Sequence, residues 1–319
     1  MRIVFMGTPA FAVPCLEALC ASGRRVVGVF TQPDRPRGRG KKPAPSPVKE
    51  AAQALGLPVF QPERIRKDGL ADLRSLAPDL CVTAAFGQIL SQEVLDIPPL
   101  GNLNVHASLL PRHRGAAPIA RAIMAGEKRT GVTTMRMDEG IDTGPILLQA
   151  ETDIGERETC GELTDRLSRL GADLLLKTLE ALEAGTLRDI PQDESLMTYD
   201  PMLTKDLSDP DFTLDANRVR GQINGLNPWP CASIPIPEGR LKLLRAEEAT
   251  VDPAPGADHP ANGTDHPAPG TLLCADGKRG LVIACGAGAV RILEVQAPGG
   301  KPMRAEDYLR GHALGTKRL

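Results

Sequence analysis

Aromatic side chains are scarce in this chain: one Trp, two Tyr and six Phe make up 3% of the residues. Its cores must therefore rest on Leu, Val, Ile and Ala. Long hydrophobic runs are missing as well. No stretch approaches the roughly 18 apolar residues of a membrane span. The apolar run in the opening "MRIVFMGTPAF" is too short for the core of a secretory signal and reads as a first strand. The cytoplasm is therefore the expected compartment, without membrane association. Neither sign of charge dominates, since 38 Lys and Arg face 40 Asp and Glu for a formal net of -2. Any contact with nucleic acid must then come from a local patch. The seven cysteines (Cys15, Cys20, Cys81, Cys160, Cys231, Cys274, Cys285) are odd in number and form no C-x-x-C pair. That argues against a disulfide framework and against zinc. The five histidines (His106, His113, His259, His266, His312) show no zinc spacing either, so no metal is expected.

What is present is a soluble globular composition, 41% hydrophobic and 24% charged, over 319 residues. That length suggests two or three domains. Short apolar runs at 2–6, 26–30, 80–84 and 103–105 look like strands buried on both faces. Helical stretches at 11–22, 48–55, 68–75 and 117–124 alternate with them. This alternation is the pattern of a doubly wound, mostly parallel α/β sheet. Two more strands, "GVTTMRM" and "PILLQAE", flank the turn-rich "DEGIDTG", and an amphipathic helix spans about 159–183. The first domain is therefore placed at residues 1–190, and the polar, proline-punctuated 191–210 reads as a linker. Residues 211–319 carry one short helix, with Asp215 placed to cap it, and then short strand-like runs at 233–236, 241–244, 281–285 and 290–296. These suggest a small β-barrel. Within it, the Pro-, Ala- and Asp-rich 247–270 reads as a flexible loop insertion.

Three features carry chemistry. The first strand-to-helix turn, "MGTPAF", lacks G-x-G-x-x-G, which counts against a nicotinamide enzyme in an otherwise suitable architecture. Asn104 and His106 fall at the carboxyl end of a strand, two residues apart and hence on one face. In an open parallel sheet that edge is where ligands bind. Two convergent hydrogen-bond donors there suit the oxyanion of an acyl transfer, although a polar strand end would look the same locally. Asp142, in the Gly-punctuated "DEGIDTG" loop, is placed to favour the imidazolium and fix its tautomer. Asp138 and Glu139 compete for that role, and spacing does not choose among them. Finally, residues 34–49 hold Arg35, Arg37, Arg39, Lys41, Lys42 and Lys49 against the single acid Asp34. This loop leaves a strand's carboxyl end and suits contact with a phosphate backbone. The β domain adds a weaker basic signal: five of its acids (Glu247, Glu248, Asp252, Asp258, Asp265) lie in or beside the insertion, leaving the remainder basic.

"NVHASLLPRHRGAAPI" followed by "DEGIDTGPIL" resembles the core of the folate-dependent formyltransferases. "MRIVFMGTPAFAVPCLEAL", "TQPDRPRGRGKK" and "INGLNPWP" narrow the resemblance to members that act on methionyl initiator tRNA, and it runs over essentially the whole chain. It implies a Rossmann-like transferase domain followed by a small C-terminal β-barrel, OB-like and tRNA-binding. The implied reaction is formyl transfer from 10-formyltetrahydrofolate to the α-amino group of methionine on initiator tRNA. Asn104, His106 and Asp142 would be the catalytic trio. Ser108, Leu109, Leu110 and Pro111 would line the folate site, with Phe86, Gly87, Gln88, Ile89 and Leu90 forming part of the pterin pocket. Arg35, Arg37, Arg39, Lys41 and Lys42 would meet the acceptor end of the tRNA. Phe86 stands where the family often has Tyr, which removes a hydroxyl. A monomer is expected. The nearest alternative is a folate-dependent formyltransferase acting on a small-molecule amine. A nucleic-acid-binding protein with an inactive core is a further one.

Overall fold

The short apolar runs of the first half assemble into one seven-stranded sheet in the computed structural model, which describes residues 1–37, 42–249, 267–314 and 318–319. Its strands are β1 (Arg2–Gly7), β2 (Arg25–Phe30), β3 (Val59–Phe60), β4 (Leu80–Ala84), β5 (Asn102–His106), β6 (Arg129–Arg136) and β7 (Ile146–Asp153). They lie in the order β7-β6-β5-β4-β1-β2-β3. The five from β5 to β3 are parallel, whereas β6 and β7 are added antiparallel. All of β4 and nearly all of β1 are buried, as a strand covered on both faces requires. The expected Rossmann-like parallel sheet is present.

The chain builds β2 and β3 on one side of β1 and then returns to place β4 and β5 on the other. That reversal is a topological switch point, where open α/β sheets bind ligands. Gly7 is level with Ala84, and Thr83 with Asn104, so the carboxyl ends of β1, β4 and β5 share one edge. Helices α1 (Val13–Ala21), α2 (Pro47–Ala54), α3 (Pro118–Met124) and α4 (Cys160–Glu183) follow the periodic segments. Ser46 caps α2 through its hydroxyl. Thr159 and Glu162 form a reciprocal capping box at the start of α4: Glu162 Oε2 accepts from Thr159 N at 2.9 Å, and Thr159 Oγ1 accepts from Glu162 N at 3.4 Å. Two expectations are refined. The helix read at 68–75 is two short ones, Ile65–Asp68 and Leu70–Ser75. Strand β3 was invisible because two half-buried residues show no period, yet Phe60 stacks on Phe30 at 5.0 Å.

The chain divides into two units. One comprises Met1–Pro118, Arg129–Asp153 and Thr164–Pro201; the other comprises Ile119–Lys128, Ile154–Leu163 and Met202–Leu319. The segment read as a linker is ordered up to Pro201 by pairing within the first unit. Ile190 bridges Ile146, and Tyr199–Asp200 runs parallel to Arg114–Gly115. A polar, proline-containing stretch satisfies its backbone on a neighbouring edge as readily as on water.

In the second unit α5 (Ala216–Gly225), capped by Asp215, packs with an antiparallel sheet. Its strands are β8 (Ala232–Ile236), β9 (Gly239–Ala249), β10 (Leu272–Asp276), β11 (Gly280–Ala284) and β12 (Ala289–Gln296), ordered β8-β9-β12-β11-β10. Met303–Arg304 adds a short strand to β12. Among the described residues no pairing closes β8 onto β10, so the expected barrel takes the form of a curled half-barrel. Its core is aliphatic, with Val219, Ile234, Leu243, Ile283 and Ile292 fully buried or nearly so. Of the expected insertion 247–270, residues 250–266 lie outside the described residues. Residues 247–249 instead lengthen β9, where Glu247 sits opposite Arg291 and ion-pairs with it and with Arg157. Leu272 likewise begins β10. Low apolar content did not prevent pairing, because a sheet needs only one buried face.

Candidate active site

Strand alternation puts Asn104 and His106 on one face at the end of β5, and the loop between β6 and β7 brings Asp142 to them. Asn104 Nδ2 donates to Asp142 Oδ1 across 3.5 Å, and His106 Nδ1 lies 3.5 Å from Asp142 Oδ2. The three residues expected to act together do converge. Asp138 is engaged elsewhere, accepting from Gly140 N at 3.1 Å and Thr143 Oγ1 at 2.6 Å. It shapes the loop, while Asp142 faces the imidazole.

The contacts divide the work of each group. His106 Nε2 is 2.9 Å from the carbonyl oxygen of His113, which only accepts, so Nε2 carries a hydrogen. Nδ1 faces the Asp142 carboxylate. The His106 side chain is 7% exposed, so its interactions are little screened by water. Asp142 Oδ2 is seated on Gly115 N at 2.8 Å, whereas Oδ1 has only the long contact with Asn104. One carboxylate oxygen is thus anchored and the other loosely held.

The loop is tightly specified. Asp142 has φ +55°, a left-handed conformation that Asp tolerates better than most residues. A Cβ on Gly144 would stand 2.1 Å from the backbone oxygen of Arg136, so only glycine fits there. Gln192 Nε2 donates to the carbonyls of Asp142 at 2.8 Å and Gly144 at 2.7 Å.

The segment after β5 is fixed from below. Thr133 Oγ1 donates to Ser108 O at 2.7 Å and accepts from Leu110 N at 3.2 Å, and Gln149 Nε2 donates to Leu110 O at 2.9 Å. Ser108 and Leu110 are buried, with Ser108 Oγ donating to Arg112 O, while Leu109 and Pro111 are half-buried. On the neighbouring strand end Phe86 and Leu90 belong to the apolar core with Val4 and Phe30. Gln88 ties its side chain to Ile65 N and Pro62 O. Gly87 and Ile89 are exposed, Ile89 by 68%. Of the residues expected to line a pterin pocket, Phe86 and Leu90 therefore have their side chains committed to the core. Thr8 Oγ1 donates to Phe86 O, and Gln32 Nε2 donates to Phe86 O and Gly87 O.

The basic cluster after Pro111 turns inward. Arg114 is 3% exposed and donates to Gln192 and Glu194, and His113 Nδ1 pairs with Asp200 Oδ2 at 2.7 Å. Neither is a surface group. Sequence reasoning missed Gln192, Asp200 and Gly115 N, whose partners lie 27 to 87 residues away; no local pattern marks them. In the basic loop, Arg35–Arg37 and Lys42–Ala44 pair as an antiparallel stem. Arg35 is exposed, while Arg39, Lys41 and the side chains of Arg37 and Lys42 lie outside the described residues. Lys49 is held by Asp34 at 2.7 Å, a contact that with Gln61 keeps the Asp34 carboxyl below its usual range.

Residues 1–179 match the family model described as formyl transferase, and residues 202–313 match formyl transferase, C-terminal domain. The chain belongs to the formyl transferase family. The methionyl-tRNA formyltransferase of Symbiobacterium thermophilum is 50% identical over 99% of this chain and 95% of its own length. The enzyme of that name from Methylococcus capsulatus is 47% identical over 100% and 99%. Among solved structures, an N-formyltransferase from Helicobacter canadensis, in complex with folinic acid and dTDP-3-aminofucose, superposes with a TM-score of 0.67. It has 17% identity and covers 92% of this chain and 98% of its own. HypX from Aquifex aeolicus in complex with tetrahydrofolic acid gives 0.59 at 18% identity, over 97% of this chain and 47% of its own. At that identity the superpositions establish a shared fold. Within the formyl transferase chain, no group of three or more His, Cys, Asp and Glu is placed to hold a metal ion among the described residues. No helix there is long and apolar enough to cross a membrane.

Proposed function

We propose that this protein transfers the formyl group of 10-formyltetrahydrofolate to the α-amino group of methionine on initiator tRNA. The reading is carried by the convergence of Asn104, His106 and Asp142 at the carboxyl edge of the sheet, in a chain half identical to a methionyl-tRNA formyltransferase over nearly its full length. The acceptor amine of an aminoacyl ester has a pKa at or below about 7.7–8.0, so much of it is neutral and nucleophilic near pH 7. As it attacks the formyl carbon, negative charge gathers on the formyl oxygen. Asn104 Nδ2 and His106 Nδ1, both bordering Asp142, donate to that oxygen. Their present contacts are long, at 3.5 Å, so neither donor must break a strong bond to do so.

Asp142 Oδ1 takes the proton that the amine must lose, while Oδ2 stays on Gly115 N. The same proton then passes to the folate nitrogen as its bond to the formyl carbon breaks, which balances the transfer. The His106 ring keeps its orientation throughout, its far nitrogen held by the His113 carbonyl. In this reading the folate lies against Leu109, Pro111, Gly87 and Ile89 and the backbone of Ser108 and Phe86. The stem-borne loop of Arg35, Arg37, Arg39, Lys41 and Lys42 meets the tRNA acceptor end. The half-barrel within residues 211–319 binds the tRNA body.

The test is an in vitro formylation assay with 10-formyltetrahydrofolate and three acceptors in parallel: methionyl initiator tRNA, methionyl elongator tRNA and a small amine. Formylation of the initiator alone is expected. Preferential formylation of the small amine would replace the reading with a small-molecule formyltransferase.

A further inference from the structure

Gln192 lies in a polar stretch with no expected role, yet both ends of its amide are committed. Nε2 donates to the backbone carbonyls of Asp142 at 2.8 Å and Gly144 at 2.7 Å, and Oε1 accepts from Arg114 Nε at 3.1 Å and Nη2 at 2.8 Å. Chemistry fixes this orientation, because carbonyls need donors and a guanidinium needs acceptors. Arg114 is itself buried and gives two further hydrogens to Glu194, from Nη1 at 3.0 Å and Nη2 at 2.7 Å. Glutamine is the side chain of this length that offers two donors at one edge and an acceptor at the other.

The clamp closes on the backbone on both sides of the Thr143–Gly144 pair. Asp142 occupies the left-handed region at φ +55°, a strained conformation that persists where its surroundings over-determine it. Gln192 and Gly115 supply those surroundings, one through the Asp142 carbonyl and the other through its carboxylate. A small rotation of this residue would swing Oδ1 away from Asn104 and Oδ2 away from His106.

We infer that Gln192, oriented by Arg114, is a positioning residue for formyl transfer: it fixes the Asp142 backbone so that Oδ2 seats on Gly115 N and Oδ1 faces the acceptor amine. The inference rests on the reading of Asp142 as the proton acceptor. Two substitutions in the full-length protein test it. Gln192→Met keeps the length and removes every hydrogen bond. Gln192→Glu keeps an acceptor for Arg114 but turns a carboxylate oxygen toward the two carbonyls. Formylation rates are measured with enzyme in excess, alongside KM for each substrate and thermal melting. Asp142→Asn and the double variant with Gln192→Met are run in parallel. The expected result is a fall in kcat of about 10- to 100-fold in both variants. KM stays near its original value, while the melting temperature falls by the same amount with and without the Asp142 carboxylate, as hydrogen bonds lost from buried partners require. In the Asp142→Asn background Gln192→Met costs less than about twofold, because its effect runs through the carboxylate already lost. Unchanged kcat in both variants, or an equal loss with and without the Asp142 carboxylate, overturns the inference alone. Original kcat in Asp142→Asn overturns the reading of Asp142, and the inference with it.

Discussion

Replacing Asp142 with Asn keeps the shape of the side chain and removes its charge and its capacity to take a proton. In the folded protein the carboxylate sits 3.5 Å from His106 Nδ1, with the two side chains 15% and 7% exposed. At an effective dielectric of about 20, that separation corresponds to roughly 4–5 kcal/mol of attraction, before the cost of desolvating both groups is set against it. The new side chain still accepts from Gly115 N with its amide oxygen, which preserves the 2.8 Å bond that anchors the loop. Its NH2 group then takes the place of Oδ1 and points at Asn104 Nδ2, where donor meets donor, while His106 Nδ1 is left facing an uncharged amide oxygen. The fold is retained, while His106 loses the carboxylate beside it and the amine its proton acceptor. General-base assistance alone is worth about 10²–10⁴-fold, so kcat/KM for tRNA formylation is expected to fall by about 10³-fold. The assay is initial-rate formylation under saturating donor, with circular dichroism and melting as controls for folding. Asp138→Asn is the comparison: its contacts to Gly140 N and Thr143 Oγ1 survive the change, and its rate should stay within a few-fold. A loss below about tenfold in Asp142→Asn, or an equal loss in the two variants, would refute the assignment of the proton to Asp142.

Other consequences follow from the same geometry. Gly144→Ala would place a Cβ 2.1 Å from Arg136 O, backbone that cannot step aside. Melting should report a loss of about 1–3 kcal/mol, and kcat should fall as the Asp142 loop shifts. Replacing Arg35, Arg37 and Lys42 together by Ala should raise KM for tRNA, leave KM for folate unchanged, and flatten the slope of log affinity against log salt by about 2–3; unchanged tRNA kinetics would remove the loop from the interface. Glu162 is pulled down to about 2 by its hydrogen bond from Arg245 and by those from Thr159. Its folded value lies below the ordinary 4.5, so its stabilisation is complete above pH 4.5 and is lost as pH falls toward 2. The carboxylate is half exposed, which limits the contribution to about 1 kcal/mol or less. Glu162→Gln should therefore lower the melting temperature slightly near pH 7 and converge with the parent protein near pH 2. A gap that widens on acidification would contradict the sign.

Much of this molecule was written locally. The apolar runs that became β1, β2, β4 and β5, the helices between them and the capping of α5 by Asp215 follow from periodicity and turn chemistry within a few residues. The same holds for Asn104 and His106, because a spacing of two in a strand guarantees a shared face. Tertiary structure decided what no local rule reaches. It placed Asp142 rather than Asp138 beside Asn104 and His106, 38 and 36 residues away in sequence, turned Arg114 and His113 inward, and hydrogen-bonded Gln192 to the Asp142 loop. It also extended β9 into a segment whose composition promised only a loop. The physical reason is common to these cases. Periodicity reports which face of an element is apolar, but a buried hydrogen-bond network is specified by which donors and acceptors the fold brings within about 3 Å of each other. Those partners are fixed by the path of the whole chain.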